Sequence, residues 1–155
     1  MFKNQHISIL NLRFCNWKRI IKVLIAIITL FIGGLIYVIY RSNDLLMFNW
    51  FSCLGLNSVV MQLRDRFSHL ILSEWVRYNL PAGLWLFSYM FIIDSIWNDN
   101  NGPIYRCFII ILPLVSLTSE IMQFYKIMPG TFDIIDIIGY VLAIILFIIL
   151  KLTSK

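Results

Sequence analysis

Apolar side chains in this chain collect into four long runs instead of alternating with polar ones. The runs are Val23 to Tyr40, about Asn79 to Trp97, Cys107 to Tyr125, and Ile134 to Leu150. The first holds no charge, the second only Asp94, and the third only Glu120. At 1.5 Å of rise per residue, each can cross a hydrocarbon core of roughly 30 Å as a helix. Pro81 falls in the first turn of the second run, where a missing N–H costs least. Trp85 and Trp97 lie towards the two ends of that run, as in an aromatic belt. Pro113 predicts a kink in the third run. The segment NDNNGP, residues 98 to 103, is a turn by composition. Gly33-Gly34 offers the first run a place for close packing against another helix.

Residues 41 to 78, between the first two runs, follow a different pattern. Leu56, Val59, Val60, Leu63, Phe67, Leu70 and Ile71 recur at helical spacing, while Ser58, Gln62, Asp65, Arg66, His69 and Ser73 fall on the opposite side. This predicts an amphipathic helix over about 56–77, lying on the membrane surface or folded over the bundle. Residues 45–63 are also uncharged, and a fifth span there is the alternative. The polar Asn49, Ser52, Asn57, Ser58 and Gln62 count against it, and so does the position it would give the C-terminal lysines.

Composition supports a bilayer as the solvent. Of the 155 residues, 60% are hydrophobic and only 14% charged, and the mean hydropathy is +0.82. A soluble domain is nearer half apolar and a quarter charged. The net charge of +5 is uneven. Lys3, Arg13, Lys18, Arg19 and Lys22 all precede the first run, forming a basic arm over 1–22 that sets orientation and meets anionic headgroups instead of nucleic acid. The first run is long for a signal peptide and has no small-x-small site before Arg41, so it reads as an uncleaved anchor. Four spans put both termini on the cytoplasmic side, where Lys151 and Lys155 also belong, and place 41–78 and 126–132 outside. Cys15, Cys53 and Cys107 make neither a disulfide framework nor a CxxC metal pair. The expected fold is therefore all-α: a polytopic membrane bundle of four transmembrane helices with an extracytoplasmic amphipathic helix, in a domain covering 23–150.

Candidate chemistry is concentrated in SEIMQFYKIMPGTFDIIDII, residues 119 to 138. Glu120 lies about 20 Å along the third helix, in the outer part of the membrane. Glu120 and Gln123 share one helix face, as do Asp133 and Asp136. Pro129-Gly130 turns the chain between the two helices, and Thr131 is placed to cap the second. An acid in a first turn offsets the helix macrodipole, which accounts for Asp133 without any function. Glu120 sits inside its helix, where a carboxylate faces protein or a wet cavity. Its structural alternatives are a hydrogen bond to Gln123 or an ion pair with Lys126, Arg64, Arg66 or Arg77. The four polar residues form the expected ligand site, with Gly130, Thr131, Lys126, Arg66 and His69 in support.

The order Glu120-x-x-Gln123, then Gly130-Thr131, then Asp133-x-x-Asp136, resembles the VanZ-like family of small bacterial membrane proteins. Pro81-x-Gly83 is similar to that family's equivalent segment. The resemblance covers residues 79 to about 146. Two departures stand out: Tyr140 occupies the place of an Asn common one turn after the second Asp, and an Arg often found between the Gln and the Asp pair is absent, leaving Lys126 as the cation there. The resemblance implies a setting at the outer face of a bacterial cytoplasmic membrane and a link to glycopeptide susceptibility, teicoplanin in particular.

The expected function is binding of an amphiphilic ligand, such as a lipid-linked cell-wall precursor or an amphiphilic glycopeptide, with membrane lipids as partners. An intramembrane enzyme working through paired carboxylates is one alternative, and a structural or interaction protein is another. No HExxH, GxSxG or Cys/His cluster occurs. A hard cation on Glu120, Asp133 and Asp136 is the metal alternative. The expected cofactors and metals are none.

Overall fold

The computed structural model describes residues 2–43, 45–67, 69–97 and 102–153, with side chains from residue 17 onwards. Seven helices are present among the described residues. They are α1 (Phe2–Tyr40), α2 (Leu46–Cys53), α3 (Asn57–Phe67), α4 (Glu74–Tyr78), α5 (Leu80–Trp97), α6 (Pro103–Phe124) and α7 (Ile134–Thr153). Four stretches are long and apolar enough to cross a membrane: Trp17–Tyr40, Leu80–Trp97, Pro103–Phe124 and Ile134–Thr153. These are the four expected spans, with shifted ends. The basic arm continues α1 as helix instead of standing apart from it. Helix α6 starts at Pro103, ahead of the expected Cys107, because proline suits the first helical position. It continues through Pro113.

Helix α5 is the centre of the bundle. It packs against α1, α7 and α6, and over half of its span is buried, against about a tenth of each of the others. It is also the least apolar of the four. Polar groups within a bilayer cost least when they face protein, so the helix carrying Asn79, Ser88 and Asp94 at its start, middle and end belongs inside. The core joins Leu86, Phe87, Met90 and Phe91 of α5 to Ala26 of α1 and to Ala143 and Phe147 of α7. Within it, the Ser88 hydroxyl donates to the Ala26 carbonyl at 2.7 Å.

Glycines set two close approaches. A Cβ on Gly33 would lie 2.9 Å from the Trp85 ring, so the Gly33 half of Gly33-Gly34 seats α5 against α1, while Gly34 has open space. A Cβ on Gly83 would lie 3.2 Å from the Gly139 carbonyl oxygen, which brings α5 and α7 together near their starts.

The segment between the first two spans departs from expectation. The amphipathic helix over 56–77 is two helices, α3 and α4, separated by an irregular stretch through Leu72. The alternative fifth span over 45–63 is also broken, since Gly55 at φ +71° ends α2 before α3 begins. Of the expected apolar face, Val60 is buried, whereas Ile71 is almost wholly exposed. Arg64 fixes this cap to the bundle. Its guanidinium donates to the carbonyls of Val38 (2.9 Å) and Arg41 (2.6 Å) and to the Asn43 side chain, and it lies over the Phe48 ring. The carbonyls at the end of α1 need such a donor, since the helix leaves them unpaired.

Candidate functional site

The turn between α6 and α7 is built by backbone requirements. Helix α6 ends in a Schellman arrangement: the Ile127 N–H donates to the Met122 carbonyl at 2.9 Å and the Lys126 N–H to the Gln123 carbonyl at 2.9 Å. Lys126 holds the left-handed position, φ +56°. Its side chain is exposed and does not pair with Glu120. Gly130, at φ +135°, lies against Gln123, and a Cβ there would be 2.8 Å from the Gln123 carboxamide. Gln123 therefore packs on the turn.

Asp133, not Thr131, caps α7. Its Oδ1 accepts the Ile135 N–H at 2.8 Å, immediately before the first helical residue. Thr131 instead lines a neighbouring cleft. Asp136 follows one turn later. The close approach of Gly83 to Gly139 carries Asn79, one turn before Gly83, over both aspartates. The Asn79 carboxamide donates to Asp133 Oδ2 and to Asp136 Oδ1, each at 2.9 Å, and Asn79 is only 4% exposed. Glu120 lies beneath, also 4% exposed, and its Oε2 receives the Asp133 N–H at 3.4 Å. Tyr140, the departure from the VanZ-like pattern, lies within electrostatic range of Asp136 and Glu120.

The cleft above this layer has a volume of about 280 Å³. Asn79, Asp133 and Asp136 form one side, and Arg41, Glu74 and Tyr78 contribute to the rest. Arg41 supplies a cation that acts on Asp136. Its guanidinium sits near the rings of Tyr37 (5.4 Å) and Tyr78 (5.3 Å) and donates to the Tyr78 carbonyl at 3.2 Å. Its Nε is buried with no hydrogen-bond partner among the described residues. The site is therefore of mixed charge, not purely acidic.

Of the expected site residues, the fold brings together Glu120, Asp133, Asp136 and Thr131. Gln123 and Gly130 face each other in the turn. Arg66 and His69 are exposed on and after α3 and do not line the cleft. None of Lys126, Arg64, Arg66 and Arg77 makes an ion pair with Glu120 among the described residues; Arg77 lies over the rings of Tyr40 and Tyr78. No group of three His, Cys, Asp or Glu side chains converges in a metal-holding arrangement among the described residues. Sequence reasoning missed Asn79, Arg41 and Glu74. Asn79 and Arg41 stand at the ends of apolar runs, where a polar residue looks like a boundary.

An apolar groove adjoins the cleft. It runs between α5 and α7, with Leu84, Phe87, Leu142 and Leu146 among its walls, and it shares Trp75 with the cleft.

A second polar cluster occupies the opposite end of the bundle. Asp94 is 1% exposed. Lys22 of α1 lies 2.7 Å from its Oδ2, and Lys151 of α7 lies 2.7 Å from its Oδ1. The Tyr105 hydroxyl of α6 also donates to Oδ1, at 3.0 Å. All four spans thus meet at one carboxylate.

No protein-family model, curated protein or solved structure matches this chain. Its four helices long and apolar enough to cross a membrane fit the architecture of a multi-pass membrane protein.

Proposed function

We propose that this protein binds an amphiphilic, lipid-linked cell-envelope ligand at the outer face of a bacterial cytoplasmic membrane. The polar head occupies the cleft above Asn79, Asp133 and Asp136, and the tail lies in the groove between α5 and α7. The observation that carries this reading is the shared wall at Trp75, which sets a polar cleft beside an apolar groove. Carboxylates beside Arg41 suit a hydroxyl-rich or zwitterionic head, since they supply acceptors and a cation together. The motif resemblance to VanZ-like proteins extends the reading to teicoplanin susceptibility.

The test is mass spectrometry of lipids co-purified with wild type and with Asp133→Asn. Asparagine still caps a helix, so the variant should accumulate normally in the membrane. Retention of one envelope lipid by wild type and its loss from the variant is the expected outcome. Identical bulk lipids in both would instead make the carboxylates helix-locking groups. In cells, expression of wild type should raise the teicoplanin concentration needed to inhibit growth, and Asp133→Asn should not.

A further inference from the structure

We propose that α2 and α3 form a re-entrant hairpin, whose tip at Leu54 and Gly55 dips into the leaflet around the C-terminal half of α1 and takes lipid acyl chains as its partner. The inference rests on α1 spanning the membrane and does not depend on the cleft at Asn79. Arg64 fixes the feet of the hairpin. Its guanidinium binds the Val38 and Arg41 carbonyls and the Asn43 side chain and covers the Phe48 ring. The end of α3 and the start of α2 therefore both sit at the end of α1. The tip points back along α1. Phe51 and Leu56 border the same cavity as Ile27, Leu30 and Phe31, and Ile27 lies roughly 20 Å down the helix from Tyr40. That cavity, of about 510 Å³, is an apolar wedge between α1 and the hairpin.

Sequence and surface fit that depth. Residues 45–63 carry no charge, and the first charged side chain after them is Arg64, at the feet. Leu46, Trp50 and Leu54 recur every fourth residue, on one face of α2 and its end, and are 63%, 61% and 70% exposed. An apolar stripe of this kind marks a membrane contact, and beside a span at the depth of Ile27 what covers it is lipid. The tip also meets its own polar groups. The N–H groups of Leu54, Gly55 and Leu56 donate to the carbonyls of Trp50 (3.0 Å), Ser52 (3.0 Å) and Phe51 (2.8 Å). The Asn57 carboxamide donates to the Ser52 hydroxyl at 2.9 Å. Irregular backbone is tolerated at membrane depth when the protein itself satisfies it. Asn49, Ser52 and Asn57 border one groove with Asn43 at the feet, on a different side from the wedge.

The experiment places a nitroxide spin label on single cysteines of the full chain in phosphatidylcholine vesicles, in a background of Cys15→Ala, Cys53→Ala and Cys107→Ala. Leu54→Cys reports the tip, Phe31→Cys the α1 span, and Ile71→Cys the stretch after α3. All three positions are exposed, so the label displaces no core. Spin relaxation compares collisions with oxygen, which concentrates in lipid, and with a water-soluble nickel chelate. The oxygen-to-nickel ratio at Leu54 should match that at Phe31 and exceed that at Ile71 severalfold. Trp50→Cys, one turn nearer the feet, should give an intermediate ratio. A ratio at Leu54 no higher than at Ile71, with Phe31 high, would overturn the hairpin and leave the spans standing. A ratio at Trp50 equal to or above that at Leu54 would lay α2 flat on the surface and also overturn it. A low ratio at Phe31 would overturn the spans together with the hairpin.

Discussion

The two polar clusters use similar residues to opposite ends. At Asp94 one carboxylate is served by two lysines and a tyrosine from three different helices, so both of its oxygens are engaged. Around Asn79 three carboxylates share one carboxamide, two backbone N–H groups and the field of Arg41. A carboxylate has about four lone-pair sites, so the first cluster is close to satisfied and the second is not. The first closes a bundle end, and the second leaves acceptors facing a cleft. Spare hydrogen-bonding capacity at a concave surface is what a ligand can use, which is why the candidate site is placed at Asn79.

Breaking the saturated cluster should have the largest effect. Asp94→Asn keeps the shape but leaves two buried ammoniums beside a neutral amide. Loss of one partner from a buried ion pair costs about 3–5 kcal/mol, so the variant should fail to accumulate or should melt far below wild type in detergent. Lys22→Met sharpens the point. The carboxylate then keeps Lys151 and Tyr105, and the loss should be clearly smaller than for Asp94→Asn. Equal losses would mean that the lysines act as a unit.

The under-served cluster should respond more mildly in stability and more strongly in binding. Asn79→Leu removes the carboxamide that holds Asp133 and Asp136, leaving half-buried acceptors unmet at a cost towards the lower end of about 1–3 kcal/mol. Thermal unfolding in detergent measures that loss, and lipid retention should fall with it. Gly83→Val tests the same contact from the backbone side. A side chain 3.2 Å from the Gly139 carbonyl must push α7 away from Asn79, with an expected cost of about 1–3 kcal/mol.

The four spans were legible because length and apolarity alone decide them, and the ends moved only where proline or continuous helix set a different boundary. The pairing of Glu120 with the Asp133 segment was legible from helix-face spacing across one turn. Asn79 was not, because its role depends on how closely α5 approaches α7, and Gly83 and Gly139 look unremarkable as isolated letters. The ion cluster left a partial trace: Asp94, Lys22 and Lys151 all sit near the same end of their runs, yet matching depth does not show that three helices converge. The surface segment misled because its helical periodicity continues through residues that the chain leaves irregular. Leu70 and Ile71 fit the apolar face by spacing but are exposed.

The smallest expected effect concerns the turn that positions the open cluster. Lys126 holds a left-handed conformation at φ +56°, which costs an L-residue about 1–2 kcal/mol. Lys126→Gly removes that strain, and the added freedom of the unfolded chain returns part of the gain, leaving a net stabilisation of about 0.5–1 kcal/mol. The exposed ammonium makes no ion pair with Glu120, so nothing at the carboxylates is lost with it. A higher melting temperature with unchanged lipid retention is the expected result. Reduced retention at unchanged or higher stability would place the Lys126 charge in the ligand's path, and the cleft would then extend over the turn to α6.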